Sequence, residues 1–342
     1  MNPKMKAVGL YKYLPIEDPE SLMDVEVDKP TPEGRDLLVK VKAISVNPVD
    51  YKVRSPKNRE ESEPKVLGWD VAGVVEQVGS ESTLFRPGDE VFYAGSIVRP
   101  GGNSEYHLVD ERIVGRKPAK LNFAEAAALP LTSITAWESL YDRLGISMNK
   151  TENEGKTILI IGAAGGVGSI AVQLAKYSGL TVIGTASRPE SADWVKGFGA
   201  DYVINHFEAF MPQLTAFGYN QVDYVLCLNS TEKHWSNMAE VIAPQGKICS
   251  IVETDELLNL NLLKNKSVTF VWELMFTRST YQTPDMIEQH KLLIEIARLV
   301  DEGVVKTTTN RTFSPINAAN LRKAHAMLET GRTVGKVVLE GF

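Results

Sequence analysis

Cysteine is scarce: the 342-residue chain holds two, Cys227 and Cys249. Both sit in apolar runs (DYVLCL and GKICSIV) that read as buried strands, so they are expected to be core thiols, with a bridge open to them only if the fold brings them together. Long apolar stretches are also missing, and nothing approaches the ~18 uninterrupted residues of a membrane span. Cationic stripes are absent too. Lys and Arg are scattered and the formal net charge is −6, which argues against a nucleic-acid footprint and points to small-molecule partners. The opening MNPKMKAVGL has neither a long apolar core nor an Arg-rich amphipathic pattern, so no targeting peptide is expected and a cytoplasmic location is the default. No internal repeat or low-complexity linker appears. What is present is a 43% hydrophobic chain, longer than one core usually supports, so two domains are expected.

Before residue 130 the chain is a series of short β-rich runs (LLVKVKAISV, VAGVVEQVG, DEVFYAG, SEYHLV) separated by turns such as Arg86-Pro87-Gly88-Asp89. That pattern predicts a β-barrel-like domain. From Asn122 it becomes helical through FAEAAALPLTSITAWESLYDRL, and near the end helices are expected over Pro284–Glu302 and Ile316–Thr330.

Between them, the apolar run TILII (157–161) empties into Gly162-Ala163-Ala164-Gly165-Gly166-Val167-Gly168, followed by the amphipathic SIAVQLAKYSG. This is a strand, a glycine turn and a helix. Gly165 would let the backbone approach a pyrophosphate, Gly168 would let helix and strand close on each other, and the helix start offers N–H groups to an anion. Ala163 replaces the first glycine of GxGxxG, so an ordinary tight turn is the alternative for the motif alone. Its context favours the dinucleotide: strand-like Leu180–Ala186, helix-like SADWVKGFG and strand-like Asp201–Asn205 complete a βαβαβ order. NAD sites usually end their second strand on an acid that holds the ribose hydroxyls, whereas a 2′-phosphate needs a small or cationic neighbour. Here Ala186 is followed by Ser187 and Arg188. The expected cofactor is NADPH; a solvated arginine beside a capping serine is the alternative.

With VNPVD, LGWDVAGVVEQVG, PGDEVF, AAALPLTSITAW, AAGGVG, GADYVIN and GKVVL in this order, nearly the whole chain resembles the medium-chain dehydrogenase/reductase superfamily. Within it the chain is most similar to the zinc-free, zeta-crystallin-like branch of NADPH-dependent quinone oxidoreductases, whose members often carry a "zinc-type alcohol dehydrogenase-like" label. The resemblance implies an α/β fold. A Rossmann domain with a doubly wound parallel sheet would cover 134–276, and a GroES-like β-barrel catalytic domain would cover 1–133 and 277–342. It also implies a homodimer joined through the nucleotide domain, by strand addition near Ser267–Trp272.

Zinc catalysis needs three protein ligands and an open position. By resemblance those ligands would fall on Asn47, Trp69 and near Leu131, none of which is a normal zinc ligand, and the stretch after PGDEVF lacks the cysteines of a structural zinc lobe. His107 in that stretch is expected to be a surface or packing residue. No metal is expected. Without zinc to lower an alcohol's pKa, the chemistry that fits is hydride delivery to an acceptor already electrophilic, a quinone or an α,β-unsaturated carbonyl.

The resemblance also implies site residues. Asn47 would polarise the substrate oxygen, or be a turn residue before Pro48. Asp50 would orient its neighbours. Tyr51 is a candidate proton donor, and Lys52 stands where relatives carry a proton-relay or ribose contact, often tyrosine or histidine, or is a solvated lysine. Thr135, with Thr132 nearby, would approach the nicotinamide carboxamide, and Ser133 or Thr135 could also cap a helix WESLYDRL. Ala164, Gly165, Gly166, Val167 and Gly168 would meet the pyrophosphate, Ser187 and Arg188 the 2′-phosphate, and His206 the adenosine. Asn229 and Val252 would border the ribose and nicotinamide, and Lys336 would return near the cofactor. Tyr51, Trp69, Trp272 and Phe276 would shape the acceptor pocket or simply fill the core. An NADPH-responsive binding or structural module, crystallin-like, is the alternative from another class, and a zinc alcohol dehydrogenase is disfavoured.

Overall fold

The computed structural model describes residues 3–342. It divides into two compact units: one holds the residues up to Leu131 with Phe276–Gly303 and Thr307–Phe342, the other Thr132–Met275 with Val304–Lys306.

In the first unit, β1 (Lys4–Tyr13) pairs antiparallel with β2 (Met23–Asp28). β3 (Asp36–Val46) runs straight into the short helix α1 (Pro48–Arg54). β4 (Lys57–Val66) then returns to the other edge of β1. β5 (Val71–Val78), β6 (Glu90–Tyr93), β7 (Tyr106–Asp110) and β8 (Gly115–Arg116) follow. β1, β2 and β4 form one sheet, and alternating apolar residues build the larger sheet around β3 and β5, since period-2 patterning buries one face of each strand. Leu37, Val39, Val41, Val71, Val75, Val91 and Val109 are all buried. The short helix α2 (Phe123–Ala127) comes next, and α3 (Pro130–Trp137) leads into the second unit, where a π-helical turn follows over Glu138–Arg143. The helical stretch runs in three pieces, and Thr135 lies inside α3 rather than ahead of a helix WESLYDRL. Ser133 lies inside α3 too, because the helix begins at Pro130, so neither stands at a helix N-terminus.

The second unit is built on a six-stranded sheet of β9 (Thr157–Ile161), β10 (Thr181–Thr185), β11 (Tyr202–Ile204), β12 (Val222–Cys227), β13 (Ile242–Ser250) and β14 (Thr269–Trp272). All its pairings are parallel and the order is β11-β10-β9-β12-β13-β14. Counted from β9 this is 3-2-1-4-5-6, the doubly wound Rossmann arrangement. The connecting helices are α4 (Gly166–Tyr177), α5 (Pro189–Gly197), α6 (Phe210–Ala216), α7 (Thr231–Val241) and the one-turn α8 (Asn261–Lys264). On one face of the sheet Leu159, Ile161, Ile183, Val225 and Cys227 form a core with Phe210 and Leu214 of α6 and Trp235 and Met238 of α7. Ile158, Ile160 and Val182, one residue out of phase, are buried toward the opposite face. Cys227 and Cys249 are free and buried.

The chain then closes the first unit with α9 (Thr277–Tyr281), α10 (Glu288–Asp301), β15 (Thr309–Phe313), α11 (Ala318–Glu329) and β16 (Lys336–Glu340). β16 lies antiparallel to β3, with Val337 opposite Val46. No helix among the described residues is long and apolar enough to cross a membrane.

Candidate functional site

In an open α/β sheet the ligand crevice forms at the carboxyl ends of the strands where the order reverses, here between β9 and β12. Ile161 and Cys227 are paired at that point, so the turn after β9 and the loop after β12 share one edge. Four hydrogen bonds shape the turn. Gly162 takes φ +83°, a region that disfavours any residue with a Cβ. Its N–H donates to Thr185 Oγ1 at 3.0 Å, and its carbonyl accepts from Gly165 N–H at 3.2 Å. Gly165 is the N-cap of α4, and Ser169 returns both its N–H (2.9 Å) and its hydroxyl (2.8 Å) to the Gly165 carbonyl.

The glycines differ in what demands them. A Cβ on Gly168 would lie 2.5 Å from Gly162 O and 2.6 Å from Ala163 Cα, so close packing of helix on strand requires it. On Gly165 a Cβ would meet nothing nearer than Gly162 O at 3.5 Å, and its φ of −73° suits any residue. Nothing within the protein requires that glycine. Ala164, Gly165, Gly166 and Val167 are partly exposed around the helix start, where unpaired N–H groups favour an anion.

At the end of β10, Ala186 is buried, Ser187 is half-buried and Arg188 is exposed as the N-cap of α5. Ser191 Oγ accepts from Arg188 N–H at 3.2 Å. His206 follows β11, half-buried, with Nδ1 3.4 Å from Thr185 Oγ1 and its ring 4.5 Å from that of the exposed Phe207. Burial lowers its pKa. Asn229 is exposed after β12, beside Gly162, and Val252 follows β13 with its carbonyl accepting from Thr231 Oγ1 at 2.5 Å. Thr132 and Thr135 are both buried.

A second cluster lies in the other unit. Asn47 is the N-cap of α1, and its N–H donates to Asp50 Oδ2 at 2.6 Å. Its Nδ2 donates to Asp70 Oδ2 at 2.7 Å and to Trp69 O at 3.3 Å, and its Oδ1 accepts from the Lys336 ammonium. Both amide hydrogens are thus committed inside the protein, in place of the donation to substrate expected of them. Lys336 also donates to Val46 O and Asp70 Oδ2, each at 3.0 Å. An ammonium has three protons, and all three of Lys336's are held by protein oxygens. Asp70 Oδ1 accepts from Leu131 N–H at 2.7 Å. Burial raises the Asp70 carboxyl above its usual range, against the pull of Lys336. Asp50 rises to about 7, from burial first, with the Asp70 charge adding to it and the Asn47 N–H and Lys336 opposing. On α1, Tyr51 is half-buried and Lys52 exposed.

Asp70 belongs to no motif that assigns it a role. The signal the sequence offers is a lone acid inside LGWDVAGVV, since a carboxylate flanked by buried apolar residues needs a partner.

His107 is a packing residue. Its Nε2 donates to Pro100 O at 2.9 Å, so Nδ1, 3.0 Å from Tyr93 OH, is the acceptor, and burial lowers the pKa to about 4. Trp69 is fully buried against Phe276, with Nε1 donating to Ser96 O at 3.1 Å, whereas Trp272 is 45% exposed. Among the described residues no group of three His, Cys, Asp or Glu side chains is placed to hold a metal ion. At the three positions matched to zinc ligands stand an amide, an indole and an isobutyl group, and the residues that carry them bond to the Asp70–Lys336 pair or to each other. A zinc ion does not fit this donor set.

Known proteins share both units. Residues 33–119 match the alcohol dehydrogenase GroES-like domain and residues 198–339 match the zinc-binding dehydrogenase family. A zinc-type alcohol dehydrogenase-like protein of Staphylococcus aureus is 47% identical over 98% of this chain and 99% of its own length. A quinone-oxidoreductase homolog of Spinacia oleracea chloroplasts is 30% identical over 94% of each. Among solved structures, that of the quinone oxidoreductase from Coxiella burnetii superposes with a TM-score of 0.82 at 28% identity, covering 99% of this chain and 100% of that one.

Proposed function

Because the chain belongs to the medium-chain dehydrogenase/reductase superfamily, oxidoreductases that use nicotinamide cofactors, we propose that it is an NADPH-dependent reductase of quinones or α,β-unsaturated carbonyls that works without a catalytic metal. The observation that carries this reading is the donor set. Where a zinc-dependent dehydrogenase would need ligands, Asn47, Trp69 and Leu131 are gathered around an internally satisfied ion pair. Such a donor set offers no zinc to lower an alcohol's pKa, which favours an acceptor that brings its own electrophilic carbon.

Ala164 to Gly168 and the start of α4 would hold the pyrophosphate, and the space at Gly165 is what a phosphate oxygen needs. Ser187 and Arg188 would hold the 2′-phosphate, Arg188 by charge-assisted hydrogen bonds. His206 would flank the adenosine, Asn229 and Val252 would border the ribose and nicotinamide, and Thr135 would face the carboxamide. When bound, the reduced nicotinamide supplies the hydride. Tyr51 would give a proton to the oxyanion that develops on the acceptor, with Lys52 as a route from solvent. Asn47 and Asp50 would fix the start of α1, which carries both.

The test is oxidation of NADPH, followed by absorbance, on adding simple quinones and enones with a chelator present. Turnover that survives chelation supports the reading. Stoichiometric bound zinc together with alcohol oxidation would overturn it, and NADPH binding with no turnover over a broad acceptor panel would leave only a binding module.

A further inference from the structure

We propose that Val46 O, Asn47 Oδ1 and Asp70 Oδ2 form a buried cation cage whose occupant is the Lys336 ammonium, and that this tethered cation holds the start of α1 in its working position. The proposal rests on the oxidoreductase reading for its catalytic readout but not for the cage itself. Each proton of the ammonium has an acceptor, two of them at 3.0 Å, and Lys336, Asp70, Asn47 and Val46 are all at most 4% exposed. Oxygen contacts near 3 Å suit an ammonium; zinc and magnesium draw oxygen to about 2.0–2.2 Å.

The cation also decides which way the Asn47 amide points. Flipped, the amide would set its NH2 group against the ammonium and its oxygen against Asp70, two repulsions in place of two bonds. Held as it is, the amide ties α1 to Trp69 O and Asp70, while its backbone N–H caps Asp50. Four separated stretches of chain, around residues 46–50, 69–70, 131 and 336, are thereby joined around one positive charge. With its three protons committed to protein oxygens, Lys336 acts through Asn47 and Asp70 and is a positioning residue.

The experiment is chemical rescue. In Lys336→Ala, turnover should fall by more than about tenfold with the NADPH dissociation constant unchanged, the pattern of a lost arrangement rather than lost cofactor binding. Ethylammonium or propylammonium should restore turnover saturably, and tetramethylammonium at equal ionic strength should not, because it has no proton to donate. The same amines should raise the melting temperature of Lys336→Ala and leave that of the wild type unmoved, since a ligand that binds only the folded state stabilises it.

Removing one partner of a buried pair leaves an unpaired charge, whereas removing both need not destabilise. The double variant Lys336→Met/Asp70→Asn is therefore expected to fold, with turnover low and insensitive to amines. Wild-type turnover in either variant, or a folded Lys336→Ala that no amine rescues, would overturn the proposal. If Lys336→Ala does not fold at any amine concentration, the double variant's turnover decides. Should the wild type reduce no acceptor, the functional reading fails, yet the amine-dependent melting of Lys336→Ala still tests the cage.

Discussion

Arg188 and Glu273 show how differently single side chains speak through a sequence. Arg188 follows directly on the strand of a recognisable motif, so its place is legible from the residues around it. Replacing it with glutamate puts a carboxylate where a 2′-phosphate is expected, and the dissociation constant for NADPH should rise far more than that for NADH. Equal losses would remove Arg188 from the phosphate site. Tyr51→Phe should lower turnover with little change in NADPH affinity, and unchanged turnover would remove the hydroxyl from the chemistry. Glu273, by contrast, is only 3% exposed, and its carboxyl is pushed up to about 8 by burial, then by a hydrogen bond and the charge of the buried Glu138, with Arg143 opposing at 2.6 Å. No local pattern announces this, because its partners lie 130 and more residues away. Between about 4.5 and about 8 the folded chain keeps a proton that an unfolded glutamate has lost. Its contribution to stability therefore falls as pH rises through that window. Glu273→Gln should flatten that part of a urea-derived stability profile, and a profile of unchanged slope would count against the assignment. Asp70 and Lys336, 266 residues apart, are illegible as a pair for the same reason.

Elements are legible where period and punctuation agree. The strand at 157–161 has the limits its apolar run implies, and the helices α10 and α11 fall inside the stretches their periodicity marks. Between residues 122 and 144 the periodicity runs on, but Pro130 begins a new helix and the last turn widens into a π-helix. Hydrophobic spacing records which side is buried and says little about where hydrogen bonding changes register. β4 is illegible because KNREESEPKV has no apolar alternation and is largely exposed. At the glycine turn, folding and binding demands separate. Gly168→Ala drives a Cβ into backbone atoms and should cost about 1–3 kcal/mol, measurable by urea unfolding. Gly165→Ala meets open space and should cost below about 1 kcal/mol while weakening NADPH binding. Equal effects of both on stability would contradict the distinction.

For the whole molecule, strand order carries the most functional information, and it follows from alternating βα units that the sequence displays openly. β14 ends that order, with Trp272 and Leu274 exposed beside it. We propose that a second copy adds its own β14 there. Sedimentation should find a dimer in the wild type and monomers after Trp272→Asp, and a wild-type monomer would remove that edge from consideration. The two cysteines have a bearing on survival in use. Enones and quinones are Michael acceptors that alkylate thiolates, and a protein handling them turnover after turnover risks poisoning by its own substrate. Here both thiols are 0% exposed, and burial pushes Cys227 to about 11 and Cys249 to about 12. Under the proposed function the chain would offer its acceptor a hydride and no reactive thiolate, and its mass after prolonged incubation with an enone should show no sulfur adduct.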